Sequence, residues 1–107
     1  MPLESAAPPT DTDWAFIAGV IETCGRVSID RDRGYTRLRL TFEGLSEEVI
    51  KWMSERLPKL RLIRRNQGRM TPYLVTLEAA AVCSEAYPHL IEKRAQAQLV
   101  FRYVRTL

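Results

Sequence analysis

Apolar and polar positions along the chain repeat with two different periods, and the switches between them divide the chain into elements. Trp14, Ile17, Ile21 and Cys24 recur every three or four residues, which predicts a helix from Trp14 with one apolar side. Asp11, Thr12 or Asp13 can cap its start, and Gly25 can stop it. From Arg26 the period falls to two. Val27 and Ile29 alternate with Arg26, Ser28 and Asp30, while Leu38, Leu40 and Phe42 alternate with Arg37, Arg39 and Thr41. With Asp32-Arg33-Gly34 turning the chain between them, the pattern predicts a hairpin with one buried and one wet face. Ser46 caps a second helix with Glu47 and Glu48 in its first turn. Val49, Ile50, Trp52, Met53 and Leu57 form its apolar side, and Pro58 ends it. A second hairpin runs from Leu60 to Asn66, turns at Gln67-Gly68 and returns from Tyr73 to Leu77. A short helix around Ala80 to Tyr87 then leads through Pro88 to a last helix from Ile91 onward, with Leu99, Val100, Tyr103 and Val104 apolar.

The predicted order, α-β-β-α-β-β-α-α, is an α+β architecture: one antiparallel four-stranded sheet with helices on one face. The Ala/Pro-rich start predicts a disordered lead-in over residues 1–12 and one folded domain over residues 13–107. No run of about 18 apolar residues occurs, and the N-terminus lacks the basic-then-apolar pattern of a secretory signal. The expectation is an intracellular protein, neither secreted nor membrane-bound. Cys24 and Cys83 have no partners at metal-binding spacing and read as two reduced thiols. His89, the sole histidine, has no nucleophile placed beside it and reads as a surface residue. Trp14 and Trp52 read as core aromatics.

Charge changes the picture. The net +3 divides into −4 over residues 1–25, from Glu4, Asp11, Asp13 and Glu22, and +7 over the remainder. Thirteen of the 16 basic residues are arginine, whose planar fork suits bidentate contacts to phosphate or guanine. Residues 26–39 carry +3 and residues 59–69 carry +5, so the two hairpins concentrate positive charge on an open sheet. Such charge can serve only to keep a sheet edge from aggregating. Interleaved with Ser, Thr and Asn, it fits phosphate and base-edge contacts better, and points to nucleic acid as the partner.

The segment Ile17 to Gly25, IAGVIETCG, an apolar helix ending at a glycine and running into a strand, resembles the signature of the LAGLIDADG homing endonucleases. The resemblance extends over residues 13–107: RLRLTFEG (Arg37 to Gly44) is similar to the family's second strand. The Trp52 helix and YLVTL (Tyr73 to Leu77) follow its order, and EKRAQAQLV (Glu92 to Val100) resembles its basic, Gln-containing final helix. It implies the single-motif, homodimeric type with fold αββαββα(α) and a saddle-shaped sheet lying in the major groove of double-stranded DNA. Ile17, Ala18, Gly19 and Ile21 would then form the dimer interface. Arg26, Ser28, Asp30, Arg37, Arg39 and Glu43 of the first hairpin would face DNA, with Arg64, Asn66 and Arg69 from the second and Tyr35 at the first hairpin's tip; because Leu60 to Arg65 breaks strict alternation, the choice between Arg64 and Arg65 stays open.

The same resemblance implies catalysis by magnesium held on one carboxylate per signature helix. At that position this chain has Cys24, whose sulfur is a soft ligand, whereas magnesium takes hard oxygens. Glu22 matches the motif's earlier acidic letter, lies about 200° around the helix from residue 24, and should point elsewhere. Ser46 and Ile50 stand where polar or basic helpers are expected, and Lys93 matches the family's basic residue near the final helix. The reading that follows is a sequence-specific DNA-binding homodimer with a degenerate active site, cleavage-deficient and without cofactor. Two alternatives remain open: an active endonuclease using Mg2+ to make double-strand breaks, and an RNA-binding splicing helper or transcription regulator on a degenerate LAGLIDADG domain.

Overall fold

A computed structural model describes residues 8–64, 68 and 70–107. The elements run α1 (Asp11–Cys24), β1 (Gly25–Asp32), β2 (Tyr35–Phe42), α2 (Glu47–Arg56), β3 (Arg61–Arg64), β4 (Met70–Val75), α3 (Thr76–Ala86), a 3-10 turn at Tyr87–His89 and α4 (Arg94–Arg105). The strands form one antiparallel four-stranded sheet, as expected, and their order is β1-β2-β4-β3. No helix among the described residues is long and apolar enough to cross a membrane.

Helix α1 starts three residues before Trp14. Thr10 caps it and makes a capping box: its hydroxyl accepts from the Asp13 N–H, and the Asp13 carboxylate accepts from the Thr10 N–H, both at 3.1 Å. Asp11, Thr12 and Asp13 are therefore first-turn residues rather than the cap. Ser46 caps α2 as expected, accepting from the Val49 N–H at 3.2 Å. Asp32 pairs with Tyr35, so Arg33 and Gly34 form a two-residue turn with positive φ at both, the geometry that matches strand twist.

Gly25 does not end α1 by adopting a left-handed backbone. Its φ is −77° and it enters β1 extended, while a Cβ there would meet the Ile21 carbonyl oxygen at 2.7 Å. Glycine is needed because the strand leaves within contact of the helix backbone. Gly25→Ala should therefore destabilise the fold by about 1–3 kcal/mol, the usual cost of overpacking. Urea denaturation of the two proteins checks this.

The core lies between one sheet face and the helices. Leu38, Leu40, Phe42 and Leu74 are buried on that face beneath Ile17 and Ile21 of α1 and Ala79, Val82, Cys83 and Ala86 of α3. Ala97 and Val100 of α4 complete the cluster, and Trp14 and Trp52 pack against it. Strand β4 begins at Met70, not Tyr73, and α3 at Thr76, not Ala80. Pro72, which has no N–H to donate, lies just beyond the last β2–β4 partners, Thr41 and Tyr73, where that ladder stops. Cys83 is buried, which pushes its thiol pKa up to about 11. Cys24 and Cys83 are both unpaired.

Candidate nucleic-acid interface

The sheet face opposite the helices follows from register. Leu40 pairs with Val27 and Leu74 on the core side, so Arg39 with its partners Ser28 and Val75, and Thr41 with Arg26 and Tyr73, point outward. Asp30, paired with Arg37, and Tyr35 belong to the same face. Tyr35 is 78% exposed at the hairpin tip. Arg26 is exposed, and Arg37 and Arg39 are half-buried among their neighbours. The first hairpin therefore brings together the residues expected there.

The second hairpin differs. Arg64 pairs with Met70 and Leu62 with Pro72, so Arg64 falls on the helix side; Arg61, opposite Tyr73, and Ile63, opposite Thr71, are the outward residues of β3. The break in alternation at Leu62-Ile63-Arg64 hid this. Arg61 also lies 3.8 Å from Glu78 of α3. Arg65, Asn66 and Arg69 lie outside the described residues. The sequence reading put Thr41 on this face but missed Thr71 and Tyr73, although Thr71, Tyr73 and Val75 alternate with Pro72 and Leu74 once Pro72 is allowed into the strand.

Where α1 runs into β1, the outward face opens into a polar cleft of about 430 Å³ lined by Thr23, Cys24, Gly25, Arg26, Val27, Glu43, Lys93 and Gln96. Lys93 Nζ donates to the Gly25 carbonyl at 3.1 Å, and the Glu43 N–H donates to the Cys24 carbonyl at 3.1 Å. Cys24, Lys93 and Glu43 thus line one cleft. Gln96, three residues beyond Lys93 at the start of α4, was not anticipated, although helical spacing places it beside Lys93.

Glu22 is elsewhere. Its carboxylate accepts the backbone N–H groups of Ile91, Glu92 and Lys93, the turn leading into α4. Both oxygens are engaged, so Glu22 anchors α1 to the turn before α4 and does not line the cleft. The Ile91 N–H bond is the main cause that lowers its pKa from an ordinary 4.5, helped by the Lys93 and Glu92 N–H groups and the Lys93 charge against partial desolvation. A depressed folded-state pKa contributes stability above the ordinary carboxylate value and loses it as pH falls through the folded value. Glu22→Gln should consequently lower the melting temperature near neutrality and flatten its decline as pH falls through and below the ordinary carboxylate value of 4.5. Thermal melts on both sides of that value provide the check.

Three of the four residues expected at a dimer interface face the protomer's own core: Ile17 is 0%, Ala18 1% and Ile21 4% exposed. Only Gly19 is exposed, and a Cβ there would meet nothing within 4 Å. The free face of α1 is instead Thr12, Ala15, Phe16, Gly19 and Thr23. The Thr23 hydroxyl donates back to the Gly19 carbonyl at 2.9 Å. Phe16, 47% exposed, packs edge-on against Trp52 of α2 with ring centroids 4.8 Å apart.

Solved structures share this fold. The homing endonuclease I-CvuI bound to the I-CreI target in 2 mM Mg, with the DNA not cleaved, matches with a TM-score of 0.75 and 23% identity, covering 89% of this chain and 68% of that one. I-CvuI with its own target in 2 mM Ca matches at 0.76 and 22%, covering 91% and 68%. The archaeal intron-encoded homing endonuclease I-Vdi141I complexed with DNA matches at 0.68 and 18%, covering 89% and 68%. This is the LAGLIDADG homing endonuclease fold. No protein-family model and no curated protein matches the sequence.

Neighbours of the LAGLIDADG homing endonuclease fold have been crystallised with Mg or Ca, but the residues of this cleft do not suit such an ion. Magnesium takes hard oxygen ligands in near-octahedral geometry. Here residue 24 offers a thiol, the Gly25 carbonyl holds the Lys93 ammonium, and both Glu22 oxygens are engaged. Glu43 is the one carboxylate of the cleft. Among the described residues no three His, Cys, Asp or Glu side chains cluster to hold a metal.

Proposed function

We propose that this chain is an intracellular, sequence-specific double-stranded DNA-binding homodimer on a LAGLIDADG homing endonuclease fold that binds its site without cutting it. The observation that carries the reading is the joining of an arginine-lined outward sheet face to a cleft whose carboxylate position is Cys24. A two-stranded ribbon fits the major groove of B-form DNA, and the deep, narrow major groove of A-form RNA does not admit it. I-CvuI and I-Vdi141I were solved as complexes with DNA, which supports duplex DNA as the partner. The unsuitable donor set supports binding without magnesium-dependent cleavage.

Dimerisation is assigned to the free face of α1. Gly19 at its centre permits close approach, and Phe16 continues the face into an apolar hollow of about 470 Å³ lined by Thr12, Asp13, Phe16, Glu48, Val49 and Trp52. A second copy related by a two-fold axis would bring Gly19 against Gly19 and cover both aromatic pairs.

The test is duplex selection from a random library, followed by sedimentation and by titration in EDTA and in magnesium. The expected outcome is one dimer per enriched duplex, comparable affinity in both buffers and no strand breaks. Gly19→Leu should yield monomers and weaken duplex binding at least about 100-fold through lost avidity. Magnesium-dependent breaks at the enriched site would replace this reading with an active endonuclease, and preference for structured RNA would replace it with an RNA-binding role. A wild-type monomer binding DNA one-to-one would remove the dimer.

A further inference from the structure

Arg39 lies in the middle of the outward face and is held from both sides. Asp30 Oδ2 of β1 is 3.1 Å from its Nε, and the guanidinium carbon lies 4.7 Å from the ring centroid of Tyr73 on β4. Three strands therefore fix one side chain, which is 19% exposed. Asp30 stands directly opposite Arg37 in the ladder, yet its carboxylate reaches diagonally to Arg39.

Stability does not account for this arrangement. The Arg39–Asp30 pair, 19% and 39% exposed, has no aligned hydrogen bond to strengthen it. The Nε–H is out of line with the carboxylate, so it is buried without a hydrogen bond. What the arrangement does achieve is orientation. Asp30 occupies the Nε side, Tyr73 occupies one face of the plane, and the terminal Nη pair makes no hydrogen bond to a described residue. That pair is a two-donor edge whose spacing matches guanine O6 and N7 in the major groove; adenine presents a donor at the corresponding place and is refused. A side chain already fixed loses less rotamer freedom on binding.

We propose that Asp30, Arg39 and Tyr73 form a preassembled reader of one guanine in each half-site, in which Arg39 makes the base contact and Asp30 and Tyr73 position it. This rests on the DNA-binding reading above and deepens it. It also gives Asp30 a role other than direct base contact, and assigns a role to Tyr73.

The test uses the full chain and its selected duplex, with each guanine replaced in turn by 7-deazaguanine, which lacks the N7 acceptor. One replacement per half-site should weaken wild-type binding by about tenfold or more. Arg39→Lys should bind both duplexes alike. Asp30→Asn and Tyr73→Leu should each reduce the discrimination while leaving the salt dependence of binding unchanged, whereas Tyr73→Phe, which keeps the ring, should retain it. Melting temperatures identify any variant that misfolds, and Asp30→Asn, on an exposed side chain, carries the test if Tyr73→Leu does. Discrimination that persists in Arg39→Lys, or is unchanged in Asp30→Asn and Tyr73→Phe but also in Tyr73→Leu, would overturn the reader while leaving DNA binding intact. Failure of the wild type to enrich any duplex would overturn both.

Discussion

Cys24→Asp should convert a protein indifferent to magnesium into one that it stabilises. With the ion at about 100 times its Kd, linkage adds about 2.7 kcal/mol. For a domain of this size that raises the melting temperature by roughly 10–20 °C. Without the ion the variant should melt below the wild type, because in the proposed dimer two carboxylates would face each other near the two-fold axis. Some nicking of the selected duplex should accompany the gain. It should be partial, since the Ser46 oxygen is taken by the Val49 N–H and Ile50 is apolar, so neither side chain is suited to ordering an attacking water. Scanning calorimetry with and without magnesium, alongside a supercoiled-plasmid assay, measures both effects. A variant that melts identically in EDTA and magnesium would remove residue 24 from the active-site position. Robust magnesium-dependent cleavage by the wild type would do the same to the claim of a lost carboxylate.

Removing Arg26, Arg37 and Arg39 together should abolish specific DNA binding with little loss of stability. The three lie on the outward face, where they cover no part of the hydrophobic core. A dimer would lose six contacts, and at about 1 kcal/mol each the affinity falls by about four orders of magnitude. Any that meet phosphate should also flatten the salt dependence by about 0.9 per contact. Arg102 and Arg105, in the last turn of α4, provide the control: replacing both with alanine should change binding little. Arg64→Ala should behave like the control, because its register places it on the helix side. Unchanged affinity in the triple variant, measured by fluorescence anisotropy at two salt concentrations, would show that the sheet is not the DNA surface.

Read alone, the sequence determined the order of elements, the α+β class, and which residues of the first hairpin face away from the core. An unbroken period of two leaves a hairpin only one way to bury Leu38, Leu40 and Phe42, so Arg37 and Arg39 are outward by necessity. It also placed Cys24 at the helix-to-strand junction, because the junction is local. Only the tertiary structure decided the rest. The four strand residues of β3 are too few, and too irregular in polarity, to choose a face, and it is pairing with β4 that puts Arg61 on the outward face and Arg64, still exposed, on the helix side. The apolar side of α1 looks the same in sequence whether it meets its own sheet or a second copy. The structure spends Ile17, Ala18 and Ile21 on the protomer's core and leaves Gly19 and Phe16 free. Glu22 reads as a spare acid until the chain brings Ile91, 69 residues away, to its carboxylate. Backbone donors carry no letter in the sequence, so an anchor made from them becomes visible only when the fold is complete.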